Sequence, residues 1–153
     1  MYFPNELTCN MAIKIIDYGS NAYDQMIELR KSVLRKPLGL TYSKEDLERD
    51  KNDLLIGAFE EDEILACCIL TRKDPGTFQL RQMAVDQRMQ RNGVGAAIMH
   101  FAENLAKDSG GKEVMMHARK TAIGFYEKLG YAVISDEFSE VGIPHVEMRK
   151  NLI

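Results

Sequence analysis

Residues 80–118 hold the pattern that most narrows the fold of this chain. Leu80-Arg81-Gln82-Met83-Ala84-Val85 reads as a strand. Asp86-Gln87-Arg88-Met89-Gln90-Arg91-Asn92 reads as a short basic loop, and Gly93-Val94-Gly95-Ala96 as the glycine-rich opening of a helix. Val94, Ala97, Ile98, Phe101 and Leu105 then form one apolar stripe at helical spacing, as far as about Lys107. Gly110-Gly111 ends the stripe, and Lys112–Ala118 is strand-like again. Two strands joined through a helix are expected to lie parallel, linked by a right-handed crossover. The turn into the helix also aims several backbone N–H groups and positive side chains at one spot, an arrangement suited to a pyrophosphate.

The other segments read in the same way. Met11–Ile16 is a first strand. Asn21–Leu34 is helical, with Ala22, Met26, Leu29 and Val33 recurring at three or four residues, and Lys36-Pro37-Leu38-Gly39 interrupts it. Ser43-Lys44-Glu45-Asp46 resembles a capping box that opens a short second helix. Leu54–Phe59 and Ile64–Arg72 are apolar strands around the polar turn Glu60-Glu61-Asp62-Glu63, and Asp74-Pro75-Gly76 turns the chain into a strand over Phe78–Val85. Lys120–Leu129 is helical up to Gly130. Tyr131–Ser135 and His145–Lys150 read as a closing strand pair. One mixed α/β sheet, mostly antiparallel, with helices on both faces would bury these stripes.

Composition narrows the function classes. A formal charge of −3 over 153 residues offers no general basic excess, which argues against nucleic acid as a partner. No stretch approaches the ~20 apolar residues needed to span a bilayer. The segment Met1–Asn10 lacks the features of a signal peptide and reads as a disordered lead or the product of an upstream start codon, leaving residues 11–153 as a single domain. Cys67 and Cys68 stand side by side in an apolar run, so they point to opposite faces of a strand and read as small core residues rather than a redox pair or nucleophiles. No cysteine–histidine spacing suggests a metal site, and the odd cysteine count fits a reducing, cytoplasmic setting.

Gln90-Arg91-Asn92-Gly93-Val94-Gly95, together with Ala122 and Phe125-Tyr126-Glu127-Lys128-Leu129-Gly130-Tyr131, resembles the two motifs of the GNAT superfamily of acyl-CoA-dependent N-acyltransferases. They stand in that family's order and at its separation, and the likeness runs over about residues 11–152. Gly142-Ile143-Pro144-His145-Val146-Glu147-Met148 is similar to the ElaA-like branch. The resemblance implies the GNAT fold: a mostly antiparallel sheet in which the strand over Phe78–Val85 is bulged near its end and splays from its parallel neighbour. It also implies acetyl-CoA as cofactor and a primary amine, in a small molecule or a peptide, as acceptor. It admits a homodimer.

Residue by residue, the resemblance implies that Arg88, Gln90, Arg91, Asn92, Gly93, Val94, Gly95 and Ala96 hold the pyrophosphate. Main-chain groups of Met83, Ala84 and Val85 would pair with the pantetheine. Arg119, where the family often has asparagine, belongs to the same cofactor set. Tyr126 aligns with the tyrosine that protonates the departing thiolate; the plainer alternative is a tyrosine packed on the core. An alkyl ammonium must lose a proton before it attacks. Many family members carry a glutamate for this on the strand before the glycine turn, whereas Gln79, Arg81 and Gln82 stand there in this chain. His117, at the end of its strand, is the titratable candidate, against the alternative of an exposed or structurally bonded imidazole. His145 is a candidate to orient the acceptor, and His100 reads as surface. Arg30, Arg35 and Lys36 could meet an acidic group of the acceptor, or simply form a solvated face.

A dinucleotide-binding oxidoreductase does not fit, because Ile98 occupies the third glycine position and a meander precedes the loop. A kinase-type phosphate loop lacks its lysine–serine/threonine pair. A non-catalytic acyl-CoA-binding module of the same fold is the competing reading.

Overall fold

The structure is a computed structural model that describes residues 11–90 and 92–153. The chain divides into two compact units, Met1–Leu70 with Gln82–Ala102, and Thr71–Arg81 with Glu103–Ile153. The expected lead over residues 1–10 lies outside the described residues.

In the first unit the strands follow the order β1 (Met11–Ile16), β2 (Leu54–Glu60), β3 (Glu63–Asp74) and β4 (Thr77–Val85). Strand β1 (Met11–Ile16) pairs antiparallel with β2 (Leu54–Glu60), from Met11↔Glu60 to Ile16↔Leu55. Strand β2 pairs antiparallel with β3 (Glu63–Asp74), with a bulge between Ala58 and Phe59. The turn between them places Glu61 and Asp62 at φ 48° and 70°, the left-handed pair that a tight two-residue hairpin requires. Helix α1 (Asn21–Arg30) is capped by Ser20, whose hydroxyl accepts from the Tyr23 N–H at 3.2 Å. Tyr23, Met26 and Leu29 of α1 enter a core with Ile16, Leu55, Phe59, Ile64, Cys67, Ile69 and Ala84, while Ala22 and Val33 pack at its margin.

The apolar stripe of α1 thus behaves as its periodicity predicts, but the winding changes after Arg30. Lys31–Arg35 opens into a π turn, Lys36–Leu38 tightens into a 3₁₀ turn, and Gly39 closes it in the left-handed region. Pro37 has no N–H to donate up the helix, so regular α winding cannot continue through it. Helix α2 (Lys44–Glu48) carries the expected capping box: the Asp46 N–H donates to the Ser43 hydroxyl and the Ser43 N–H to the Asp46 carboxylate.

A 3₁₀ turn over Arg49–Asn52 follows and delivers Asp50 into the interior. Its carboxylate accepts from the Arg30 guanidinium at 2.8 Å and from the Tyr23 hydroxyl at 2.7 Å. Arg30 is 1% exposed and Asp50 0%. Burial, and then the neighbouring carboxylate, push the Tyr23 phenol far above its ordinary range, so it remains a donor. Arg30, an acceptor-binding candidate by sequence, thus stands in the interior as one half of a buried ion pair.

In the second unit the order is β3, β4 (Thr77–Val85), β5 (Glu113–Arg119), β8 (Ile143–Asn151) and β6 (Ala132–Val133), with β7 (Phe138–Glu140) also on β8. Strand β4 (Thr77–Val85) pairs parallel with β5 (Glu113–Arg119), from Thr77↔Glu113 to Leu80↔Met116. This is the parallel pair that the intervening helix α3 (Val94–Asp108) predicts. Strand β5 pairs antiparallel with β8 (Ile143–Asn151), from Glu113↔Asn151 to Arg119↔His145. After α3, Gly111 lies so close to its surroundings that a Cβ would stand 2.8 Å from the Ala106 carbonyl oxygen and from the Phe78 ring, so only glycine fits. Glu103 of α3 accepts from the Tyr131 hydroxyl at 2.8 Å and from Lys150 at 2.9 Å.

The C-terminal end differs from expectation. Helix α4 covers Ile123–Lys128 after a 3₁₀ turn over Lys120–Ala122, and β6 is only Ala132–Val133. A further strand, β7 (Phe138–Glu140), forms a hairpin with β8, pairing Phe138↔His145 and Glu140↔Ile143. Three residues are too few to display a period of two, which is why the pattern did not show it. The sheet is mixed and mostly antiparallel.

Removing one partner of a buried ion pair strands the other charge, at about 3–5 kcal/mol. Asp50→Ala is accordingly expected to lower the urea midpoint by that amount of stability. A midpoint within 1 kcal/mol of the parent would show that Arg30 escapes to water.

Candidate active site

The first unit builds a strand end, a turn and a helix start in succession. Gln82 in β4 adopts φ 54°, a left-handed residue inside a strand. Its conformation is supported from the side: the Tyr42 hydroxyl donates to its Oε1 at 2.6 Å, and the Cys67 thiol to its carbonyl at 3.6 Å. Burial holds the Tyr42 phenol protonated against the opposing influence of Arg30 and Arg35, whose guanidinium carbons lie 4.6 and 4.7 Å from the ring centroid. Arg35 is only half-buried and bonds the Leu34 carbonyl at 3.3 Å, so its group remains accessible; Lys36 is exposed.

Past the kink, Met83 and Val85 are half-buried and Ala84 is buried. The Asp86 N–H donates to the Leu65 carbonyl at 2.8 Å, and the Asp86 carboxylate caps a 3₁₀ turn over Gln87–Met89. Arg88 folds back on two carboxylates, with Nε 3.0 Å from Asp86 and Nη2 3.2 Å from Glu63. These bonds depress the Asp86 carboxyl below the usual range and raise the arginine further above its own. Gln90 Nε2 donates to the Val85 carbonyl at 3.3 Å. Arg91 lies outside the described residues.

Asn92 and Gly93 are exposed, and Gly93 adopts φ 81° with nothing within 4 Å of where a Cβ would stand. Val94, fully buried, anchors the first turn of α3 in the core. Gly95 and Ala96 are half-buried, and the Ala97 N–H makes a first intrahelical bond to the Gly93 carbonyl at 3.0 Å. The amides before it belong to the stretch of a helix that has no acceptor one turn back, and the helix dipole makes that end positive. An anion there meets backbone donors on an open side.

The second unit holds the other candidates. Tyr126 on α4 is buried, edge-on to Phe125 at 5.0 Å and to Tyr131 at 5.9 Å. Arg119 closes β5, half-buried, in register with His145. His117, on the exposed side of β5, places Nδ1 2.8 Å from Glu140 Oε1. His145 is buried, with Nδ1 2.9 Å from the Ile143 carbonyl and Nε2 3.9 Å from Glu140 Oε2. The structure therefore brings His117 and His145 together around Glu140, a residue that sequence reasoning missed. Its only local signal is the Val141-Gly142 pair, at φ 47° and 79°, which folds Glu140 back opposite Ile143. On β4 itself, Arg81 bonds the Thr71 hydroxyl at 3.0 Å. His100 is exposed on α3. Among the described residues no group of His, Cys, Asp and Glu is arranged to hold a metal ion, and no helix is long and apolar enough to cross a membrane.

Comparison with known proteins fits this arrangement. A family model for an acetyltransferase (GNAT) domain matches residues 31–152. The chain belongs to the GNAT acetyltransferase family. The uncharacterized protein YyaT of Bacillus subtilis (strain 168) is 37% identical over 76 residues, covering 50% of this chain and 51% of YyaT. This chain thus spans about half the length of the curated relatives it matches. An aminoglycoside 6'-N-acetyltransferase complexed with coenzyme A superposes with a TM-score of 0.78 at 17% identity, over 93% of this chain and 97% of that one. Escherichia coli ElaA superposes with a TM-score of 0.77 at 19% identity, over 92% and 99%. At these identities the two structures establish the shared GNAT fold.

Cys67 and Cys68 are fully buried free thiols, as expected of core residues. Burial pushes the Cys67 thiol up to about 12 and the Cys68 thiol well above its ordinary value. In a Cys9→Ser variant, both are expected to resist a disulfide reagent at pH 8 until the protein is denatured. Because unfolded thiols ionise near 9.0 while the buried ones keep their protons, their contribution to stability is whole below that pH and declines as pH climbs toward about 12. Rapid labelling of the folded variant would contradict this.

Proposed function

We propose that this protein transfers an acetyl group from acetyl-CoA to a primary amine, of a small molecule or a peptide, by direct attack of the amine in a ternary complex. The carrying observation is the helix start at Gly93, with its left-handed glycine, its open side and its buried Val94 anchor, in a chain of the GNAT family. That surface fits a diphosphate: it offers backbone donors, and Gly93 itself puts no side chain in the approach. Gln90, Asn92, Gly93, Val94, Gly95 and Ala96 would form the cradle, with Arg91 as a further donor. Arg88 would contribute less than a free arginine, since Asp86 and Glu63 already balance its charge. Met83, Ala84 and Val85 would bind the pantetheine through main-chain groups, and Arg119 would assist cofactor binding. Residues 11–153 would act as one such domain, in the reducing cytoplasm where the thiols Cys67 and Cys68 stay free.

Bound acetyl-CoA would supply an activated thioester carbonyl. His117 would take the proton of the acceptor ammonium, and the Tyr126 hydroxyl would donate to the departing sulfur. Arg35 would bind an acidic group of the acceptor, and His145 would help orient it. A second reading, a non-catalytic acyl-CoA-binding module, is favoured by the lack of a carboxylate among Gln79, Arg81 and Gln82 on β4.

Calorimetric titration with acetyl-CoA tests binding. Release of free thiol with tyramine, spermidine and a lysine-containing tripeptide separates an enzyme from a module. Gly93→Asp is expected to weaken acetyl-CoA binding at least tenfold, through a strained φ and like-charge repulsion; unaltered affinity would put the diphosphate elsewhere. Tyr126→Phe is expected to lower kcat at least tenfold with acetyl-CoA affinity nearly unchanged, and equal turnover would remove Tyr126 from the mechanism.

A further inference from the structure

We propose that Glu140 is a positioning residue: it holds His117 in the tautomer whose Nε2 is free to take the acceptor's proton. This rests on the reading of His117 as the base.

The tautomers follow from what each partner can do. An ionised carboxylate only accepts hydrogen bonds. Glu140 Oε1 stands 2.8 Å from His117 Nδ1, so that nitrogen carries the proton and the neutral ring keeps a lone pair on Nε2. The ring is 34% exposed on its side-chain surface, which leaves this nitrogen a route to solvent and to an acceptor. A carbonyl oxygen also only accepts, so His145 Nδ1, 2.9 Å from the Ile143 oxygen, carries its own proton as well. His145 Nε2 stands 3.9 Å from Glu140 Oε2, beyond hydrogen-bond reach, so it does not compete with His117 for the carboxylate.

The scaffold is built for this placement. The tight Val141-Gly142 turn sets Glu140 opposite Ile143, and the Phe138↔His145 pair puts Phe138 against both rings, edge-on to His117 at 5.1 Å and stacked with His145 at 6.2 Å. Lys120 pairs with Glu137 at 3.0 Å, and Glu147, in register with His117, pairs with Arg149 at 3.1 Å. In the step itself, the N–H bond of the acceptor ammonium breaks, its proton moves to the Nε2 lone pair, and the amine keeps the electron pair it needs for attack. The resulting imidazolium is faced by the Glu140 carboxylate, and the proton then passes to solvent.

The test uses the full chain carrying ¹⁵N-labelled histidine, with long-range ¹H–¹⁵N spectra at pH 8 and no ligand. His117→Gln and His145→Gln assign the signals. The parent is expected to show both His117 and His145 protonated on Nδ1. In Glu140→Ala the His117 signal should move toward the Nε2-protonated form while His145 stays put. Glu140→Gln, whose amide oxygen can still accept, should keep His117 protonated on Nδ1 and guards against a misfolded alanine variant. With acetyl-CoA and whichever of tyramine, spermidine or the tripeptide is acetylated, Glu140→Ala should lose at least tenfold in kcat at unchanged acetyl-CoA KM, and Glu140→Gln should recover part of it. A parent His117 protonated on Nε2, or a tautomer indifferent to Glu140→Ala, overturns the proposal whatever the activity. Expected tautomers with full turnover in His117→Gln overturn instead the reading of His117 as the base.

Discussion

The buried carboxylate of Asp50 governs the geometry of the first unit. It neutralises Arg30 in the interior, and Arg30 in turn lies over the ring of Tyr42. The Tyr42 hydroxyl holds the side chain of Gln82, the left-handed residue of β4. A non-glycine residue in that region is strained by about 1–3 kcal/mol and persists only where its surroundings over-determine it. Here the support runs from Asp50 through two side chains to the backbone just before Met83–Val85. The ion pair's value lies in this fixed geometry, since a buried pair adds little net stability over an apolar replacement.

Beyond the kink, charge is handled by the main chain. Arg88 is the obvious cation beside the glycine turn, yet it is bound to Asp86 and Glu63. A helix start keeps its polarity whatever its side chains do, because the dipole and the leading amides are properties of the backbone. Gly93 matters in this setting for its left-handed φ and for the space it leaves open.

In the second unit a carboxylate is carried by β7, on a hairpin whose turn is only Val141-Gly142. Glu140 meets one histidine from β5 and another from β8, so three strands contribute to one cluster.

Much of the fold was legible in the residues themselves. The apolar spacing of α1 and α3, the capping box at Ser43, the polar hairpin turn at Glu61-Asp62 and the parallel crossover all follow from local chemistry and a period of 3.6 or 2. So does the glycine-rich helix start, because a left-handed glycine and an amphipathic stripe are written side by side. What sequence alone could not decide was partnership over distance. Arg30 looks like a surface cation until Asp50, twenty positions on, is folded against it, and Glu140 looks like one more acidic loop residue until three strands converge on it. Local patterns determine which backbone forms are cheap; only tertiary packing determines which charges meet and, as with Arg30 and Asp50, which lose their water.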